Sequence, residues 1–212
     1  HFMDTCLVLH AEHSFNASTF TARQVSSTHA HMFAAVSAAV GSLSGELHGG
    51  ANARVMQMLE EIDSVANIAA YVEKKLDAGG KIMGMGHAVY KYGDPRAGIL
   101  APMSKRMGEK AGDTKWYELS AALAEATKAA FRKKKGTDIF PNVDFYSASL
   151  YYTMGIPIDL FTPVFAVSRI AGWVAHVIEE QFGGAGTKPV LYRPASEYTG
   201  EYCGPEECAF VP

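Results

Sequence analysis

Cysteine is scarce in this chain: three occur among 212 residues. An odd, small number excludes a framework of fully paired disulfides and fits a reducing, cytoplasmic compartment. Cys203 and Cys208 lie near the C-terminus with no second ligand pair beside them, so two free thiols are expected there rather than a zinc site. Charge is also sparse. Charged residues make up 19% of the chain and the net charge is −3, which leaves no surplus of positive charge for nonspecific nucleic-acid binding. The one basic cluster, Arg132 to Lys135 before Gly136, reads as a solvated helix end favoured by the helix dipole. No uninterrupted run of 18 apolar residues is present to span a bilayer. The opening HFMDTCLVLH has neither the basic start nor the cleavage site of a signal peptide. Neither nucleic acid nor membrane is an expected partner. Strand signals are missing too: no sustained two-residue alternation occurs, and no internal repeat.

What is present is helical periodicity, and the fold class is all-α. ANARVMQMLEEI places Val55, Met58, Leu59 and Ile62 on one helical face. SVANIAAYVEKKLDAGG opens on Asp63 or Ser64, carries Val65, Ile68, Val72 and Leu76 as one stripe, and stops at Gly79-Gly80. Asp94-Pro95 predicts an N-cap followed by proline at the first helical position, with the helix running to about Lys110. WYELSAALAEATKAAFRKK buries Leu119, Leu123 and Ala130. Thr162-Pro163 repeats the cap pattern before a stretch that is apolar almost all round until Glu179, so that helix belongs in a large core or an interface. Beyond it the Gly- and Pro-rich C-terminus reads as extended loop.

Four polar constellations carry candidate chemistry. In HAEHSFN, His10, His13 and Asn16 share a face if the segment is helical. Three readings are open for them: a metal pair, a structural polar patch, or substrate recognition. The spacing is not that of HExxH, and metal ranks last. His48, followed by Gly49-Gly50, precedes a helix expected from about Asn52. A positive dipole end there favours a neutral imidazole able to donate to a developing enolate oxygen; the alternative is a turn histidine in solvent. His87 follows a Gly-x-Gly turn, with Lys91 and Arg96 beyond it. The turn lacks the flanking strand of a dinucleotide fold, yet such a loop can still hold a nucleotide's phosphates or adenine. Asp144, in FPNVDFYS, sits in apolar company that raises a carboxyl pKa and makes a base, unless it is a plain N-cap. Finally, Arg169 lies inside the long apolar stretch and needs a carboxylate from the protein or from a ligand.

Six segments, LHAEHSFNAST, LHGGAN, GMGHAVYKYGDPR, PNVDFYS, FTPVFAVSRIAGW and RPASEYTG, occur in that order. Together they resemble the citrate synthases of the short prokaryotic type, which include 2-methylcitrate synthases. The resemblance implies condensation of acetyl-CoA with oxaloacetate and water to citrate and CoA, the first step of the tricarboxylic acid cycle, without metal or redox cofactor. In it His48 stabilises the enol of acetyl-CoA, Asp144 takes the methyl proton, and His87 polarises the oxaloacetate ketone. His13, Arg96 and Arg169 resemble the oxaloacetate-binding groups, and Arg193 the arginine lent by a neighbouring subunit of a homodimer. Met83, Gly84, Met85, Gly86, Ala88, Val89 and Lys91 resemble the coenzyme A segment. Met85 stands where the family has an aromatic or small residue, and Glu12 where aspartate is usual. The implied layout is a large domain from 1–48 and 154–212, the latter with the C-terminal helix and tail, and a small domain over 49–153 that closes on it. The chain resembles a C-terminal portion of that fold.

Overall fold

The computed structural model describes residues 1–183 and 191–200; Cys203 and Cys208 lie outside them. The described residues hold nine α-helices: α1 (Phe2–His10), α2 (Ala17–Ser26), α3 (Met32–Leu43), α4 (Ala51–Ile62), α5 (Ile68–Asp77), α6 (Pro95–Ala111), α7 (Lys115–Lys135), α8 (Val143–Thr153) and α9 (Phe161–Phe182). Pairing of extended backbone among them is limited to one isolated bridge, Met85 with Pro141. The protein is all-α, as the periodicity predicted.

Local chemistry explains most boundaries. Asp94 caps α6 by accepting from the Arg96 N–H, with Pro95 at the first turn. Asn16 caps α2 through the Thr19 N–H. α7 ends on Gly136, whose left-handed φ of 66° costs glycine little. The basic residues before that cap are exposed, and Arg132 and Lys134 pair with Asp138 and Asp77.

Two apolar clusters hold the helices together. The larger joins α4, α6, α7 and α8 through Val55, Leu59, Leu100, Leu123, Phe145 and Leu150, with Cys6 and Phe161 reaching in from α1 and α9. Val55, Met58, Leu59 and Ile62 are all buried, so the predicted α4 stripe is correct. The smaller packs α2 and α3 on α9, where Ala22, Ala35 and Ala39 let the backbones approach Trp173 and Val177.

Two expectations need correcting, and a third is met along one side of its helix. Val65 does not extend the α5 stripe: it lies in a 3-10 turn, Val65–Asn67, and is 54% exposed. Thr162 is not the N-cap of α9, which is Leu160; its hydroxyl donates instead to the Gly49 carbonyl oxygen at 3.0 Å. α9 is buried along one side only, leaving Val167, Ile170, Ile178 and Phe182 exposed. Within Ile158–Phe182 an 18-residue window has a mean hydropathy of 1.4, so by length and composition this segment could cross a membrane, although polar residues interrupt its apolar runs. The buried side of this helix carries Arg169 and Trp173 against α1 and α2, as in a core helix of a water-soluble fold.

Candidate active site

His10 and His13 do not share a helix. α1 ends at His10, and residues 11–16 turn away to the α2 cap. His10 is fully buried, with Nδ1 2.8 Å from the Cys6 carbonyl oxygen and its ring edge-on to Phe165. Burial holds its pKa down to about 4, so the imidazole is neutral. His13 faces a different way, into a cavity of about 580 Å³. No cluster of three or more His, Cys, Asp or Glu side chains suited to a metal occurs among the described residues.

That cavity is where the predicted residues converge. His13, His48, His87, Arg96, Asp144 and Arg169 all line it, from stretches up to 156 residues apart (13 to 169). Ala88 and Val89 line it as well. Gly86 and Lys91 line a neighbouring cavity of about 280 Å³ that shares His87. Met83, Gly84 and Met85 line neither. Gly84 and Gly86 instead clasp the chain before α8: the Gly84 carbonyl accepts from the Asn142 N–H at 2.8 Å, and the Gly86 N–H donates to the Phe140 carbonyl at 2.7 Å. A Cβ on Gly84, where φ is +74°, would lie 2.7 Å from Val55 Cγ2. The glycine turn therefore sets the position of α8, and with it Asp144. Arg193 is exposed and lines neither cavity.

Hydrogen bonds fix the protons on two imidazoles. The Ser18 backbone N–H, in the first turn of α2, donates to His48 Nε2 at 3.1 Å. A ring nitrogen that accepts carries no proton, so neutral His48 bears its proton on Nδ1. Trp173 Nε1 in turn donates to the Ser18 hydroxyl at 3.2 Å. The backbone N–H groups of Val89 and Tyr90 point at His87 Nδ1, at 3.0 and 3.4 Å; the proton of His87 is therefore on Nε2. Burial lowers the pKa of both rings, Arg169 adding to the effect at His48 and Arg96 at His87, where Asp94 opposes it.

The carboxylate and the two arginines complete the electrostatics. Asn142, not Asp144, caps α8, accepting from the Asp144 N–H at 3.0 Å. The Asp144 carboxyl has no hydrogen-bond partner among the described residues. Burial pushes its pKa up to about 6, against the pull of Arg96 and Arg169. Arg96 is held by both oxygens of Asp94, at 3.0 and 2.8 Å, and Asp94 also accepts from the Val143 N–H at 2.9 Å. Arg169 donates through Nε to the His10 carbonyl oxygen at 2.6 Å and lies over Phe165. No carboxylate among the described residues forms an ion pair with it; burial and the Arg96 charge depress its pKa to about 10. A buried guanidinium without an ion-pair partner among the described residues, beside a second cation, can pair with an anion that carries more than one carboxylate.

Ser18, Asp94 as an ion-pair partner and Tyr90 were not foreseen. The Asp-Pro-Arg spacing signalled the pair, since a capping aspartate lies within reach of a side chain two residues on. Nothing in the sequence signals Ser18, because its partner is 30 residues away.

A family model for the C-terminal domain of citrate synthase matches residues 1–195. The citrate synthase of Haloferax volcanii is 52% identical over 93% of this chain and 50% of its own length. A 2-methylcitrate synthase of Shewanella oneidensis is 43% identical over 93% of this chain and 50% of its own. The chain thus spans about half the length of the curated relatives it matches. Among solved structures, citrate synthase from Thermoplasma acidophilum, in a ternary complex with carboxymethyl coenzyme A and oxaloacetate, superposes with a TM-score of 0.85 at 33% identity, covering 100% of this chain and 54% of that one. A match across nearly the whole chain, in sequence and in fold, makes it a member of the citrate synthase family.

Proposed function

We propose that this protein condenses acetyl-CoA with oxaloacetate and water to give citrate and CoA. The observation that carries the reading is the single cavity in which an unpaired arginine, a second arginine, three neutral imidazoles and a carboxyl of raised pKa meet. Arg169, Arg96 and His13 bind the two carboxylates of oxaloacetate. The Asp144 carboxylate removes a methyl proton of the acetyl thioester while His48 Nδ1–H donates to the thioester oxygen, giving the enol form. Its carbon attacks the ketone, and His87 Nε2–H supplies the proton to the new alkoxide. Water then cleaves the thioester, releasing a carboxylate and the CoA thiol. Proton transfer and hydrolysis balance these steps with no metal or redox cofactor.

The second cavity, beside Gly86 and Lys91, supports a place for coenzyme A next to His87. Holding both reactants against one loop suits a reaction limited by juxtaposition. Closure of a small domain, 49–153, over a large one from 1–48 and 154–212 belongs to the same proposal, as do a homodimer in which Arg193 serves a neighbouring copy and a cytoplasmic location. The exposed apolar side of α9 supports burial against further protein.

The test is oxaloacetate-dependent release of CoA thiol from acetyl-CoA, with His48→Ala as control. Release by the parent that is lost in the variant supports the reading; a folded parent that releases none contradicts it. The 2-methylcitrate synthase relatives keep a second reading in play, propionyl-CoA as the thioester. One methylene is worth about 1–3 kcal/mol in an apolar pocket, so the ratio of kcat/KM for the two thioesters decides between them.

A further inference from the structure

Backbone N–H groups place the protons of His48 and His87, but among the described residues no backbone group does so for His13. Among the described residues, its only hydrogen-bond partner through the ring is the Tyr90 hydroxyl, 3.0 Å from Nε2. The Tyr90 ring is wedged in place: its centroid is 5.4 Å from that of His13 and 4.7 Å from that of His87, and the Arg96 guanidinium lies 5.9 Å above it. The phenol proton has no other acceptor among the described residues. A hydroxyl donating to Nε2 leaves Nδ1 protonated. The opposite arrangement would leave the phenol proton to solvent and turn a bare Nδ1 lone pair, rather than a donor, toward a cavity that two arginines line.

We propose that Tyr90 is a positioning residue that donates its phenol proton to His13 Nε2, so that His13 presents Nδ1–H to the dianionic substrate. This rests on the reading of the cavity as a dicarboxylate site. Tyr90 would then govern two histidines, His87 through its backbone N–H and His13 through its side chain. All three cavity imidazoles act as neutral N–H donors, and substrate binding needs no histidine to change charge.

Two measurements on the whole protein test it. Long-range proton–nitrogen correlation spectra of histidine-labelled protein at neutral pH should show His13 with Nε2 unprotonated and Nδ1 protonated. Tyr90→Phe keeps the ring and removes the donor. It should abolish that tautomer preference and raise KM for oxaloacetate roughly tenfold, the weight of one hydrogen bond, while kcat stays within about twofold. A proton on Nε2 of His13 in the parent overturns the proposal. So does a Tyr90→Phe variant whose His13 tautomer and KM match the parent's. A parent with His13 protonated on Nδ1 that binds no oxaloacetate upholds the proton assignment and overturns the dicarboxylate reading instead.

Discussion

At the scale of single residues, burial moves two pKa values in opposite directions, and the signs can be separated. His10 falls from 6.5 to about 4. Between those values the unfolded chain takes up a proton that the folded chain refuses, so stability drops as pH falls from 6.5 to 4. Asp144 rises from 3.8 to about 6. Over that range the folded chain binds the proton first, so this group favours folding as pH falls and opposes it above pH 6. Asp144→Asn is therefore expected to raise the melting temperature at pH 7, with the gain shrinking toward pH 4; thermal unfolding at both pH values measures it. An Asn variant no more stable than its parent at pH 7 would show that the carboxyl is not desolvated. On the proposed reading the same desolvated carboxyl is the base, which would exchange stability for reactivity at this position. Arg169→Leu removes the unpaired cation and should weaken oxaloacetate binding by roughly ten- to a hundredfold, the range of a charged hydrogen bond. Titration calorimetry checks it, and unchanged affinity would remove Arg169 from the anion site.

At the scale of elements, one stripe of α9 organises the site. Arg169 Nε donates to the His10 carbonyl at 2.6 Å, the Gly172 N–H to the Ala11 carbonyl at 3.1 Å, and Trp173 to Ser18 at 3.2 Å. One turn further, His176 lies 3.0 Å from Glu12, while Glu179 and Glu180 hold Arg23. Spacings of three and four residues keep these groups on one face, against which the loop carrying His13 lies. A Cβ on Gly172 would sit 2.3 Å from the Ala11 carbonyl oxygen. Gly172→Ala should push that loop off the helix and destabilise the fold by about 1–3 kcal/mol; a melting curve like the parent's would contradict this. The sequence disclosed α4 and α6 well, because a regular apolar stripe and an Asp-Pro start report local physics. It disclosed the shared cavity only through the resemblance, since the contacts joining His48 to Ser18 and Arg169 to His10 span 30 and 159 residues. HAEHSFN misled because helical spacing was assumed where α1 ends. Thr162 misled because its hydroxyl serves Gly49 rather than its own helix.

At the scale of the whole molecule, the cavity is assembled from α6, α8, α9 and the loop stretches at 13–16, 47–48 and 87–89, with two apolar clusters fixing how the helices meet. On the proposed reading the arrangement separates tasks: cations hold an anion, imidazoles donate, and one carboxylate accepts a proton. That separation is the central claim, and Asp144→Ala tests it most directly. Oxaloacetate binding and CoA thiol release should be measured on parent and variant side by side. Oxaloacetate binding should be retained, and thiol release should fall at least about a hundredfold, as for loss of a general base. A variant that binds oxaloacetate and releases thiol as fast as the parent would contradict the assignment of Asp144 as the base.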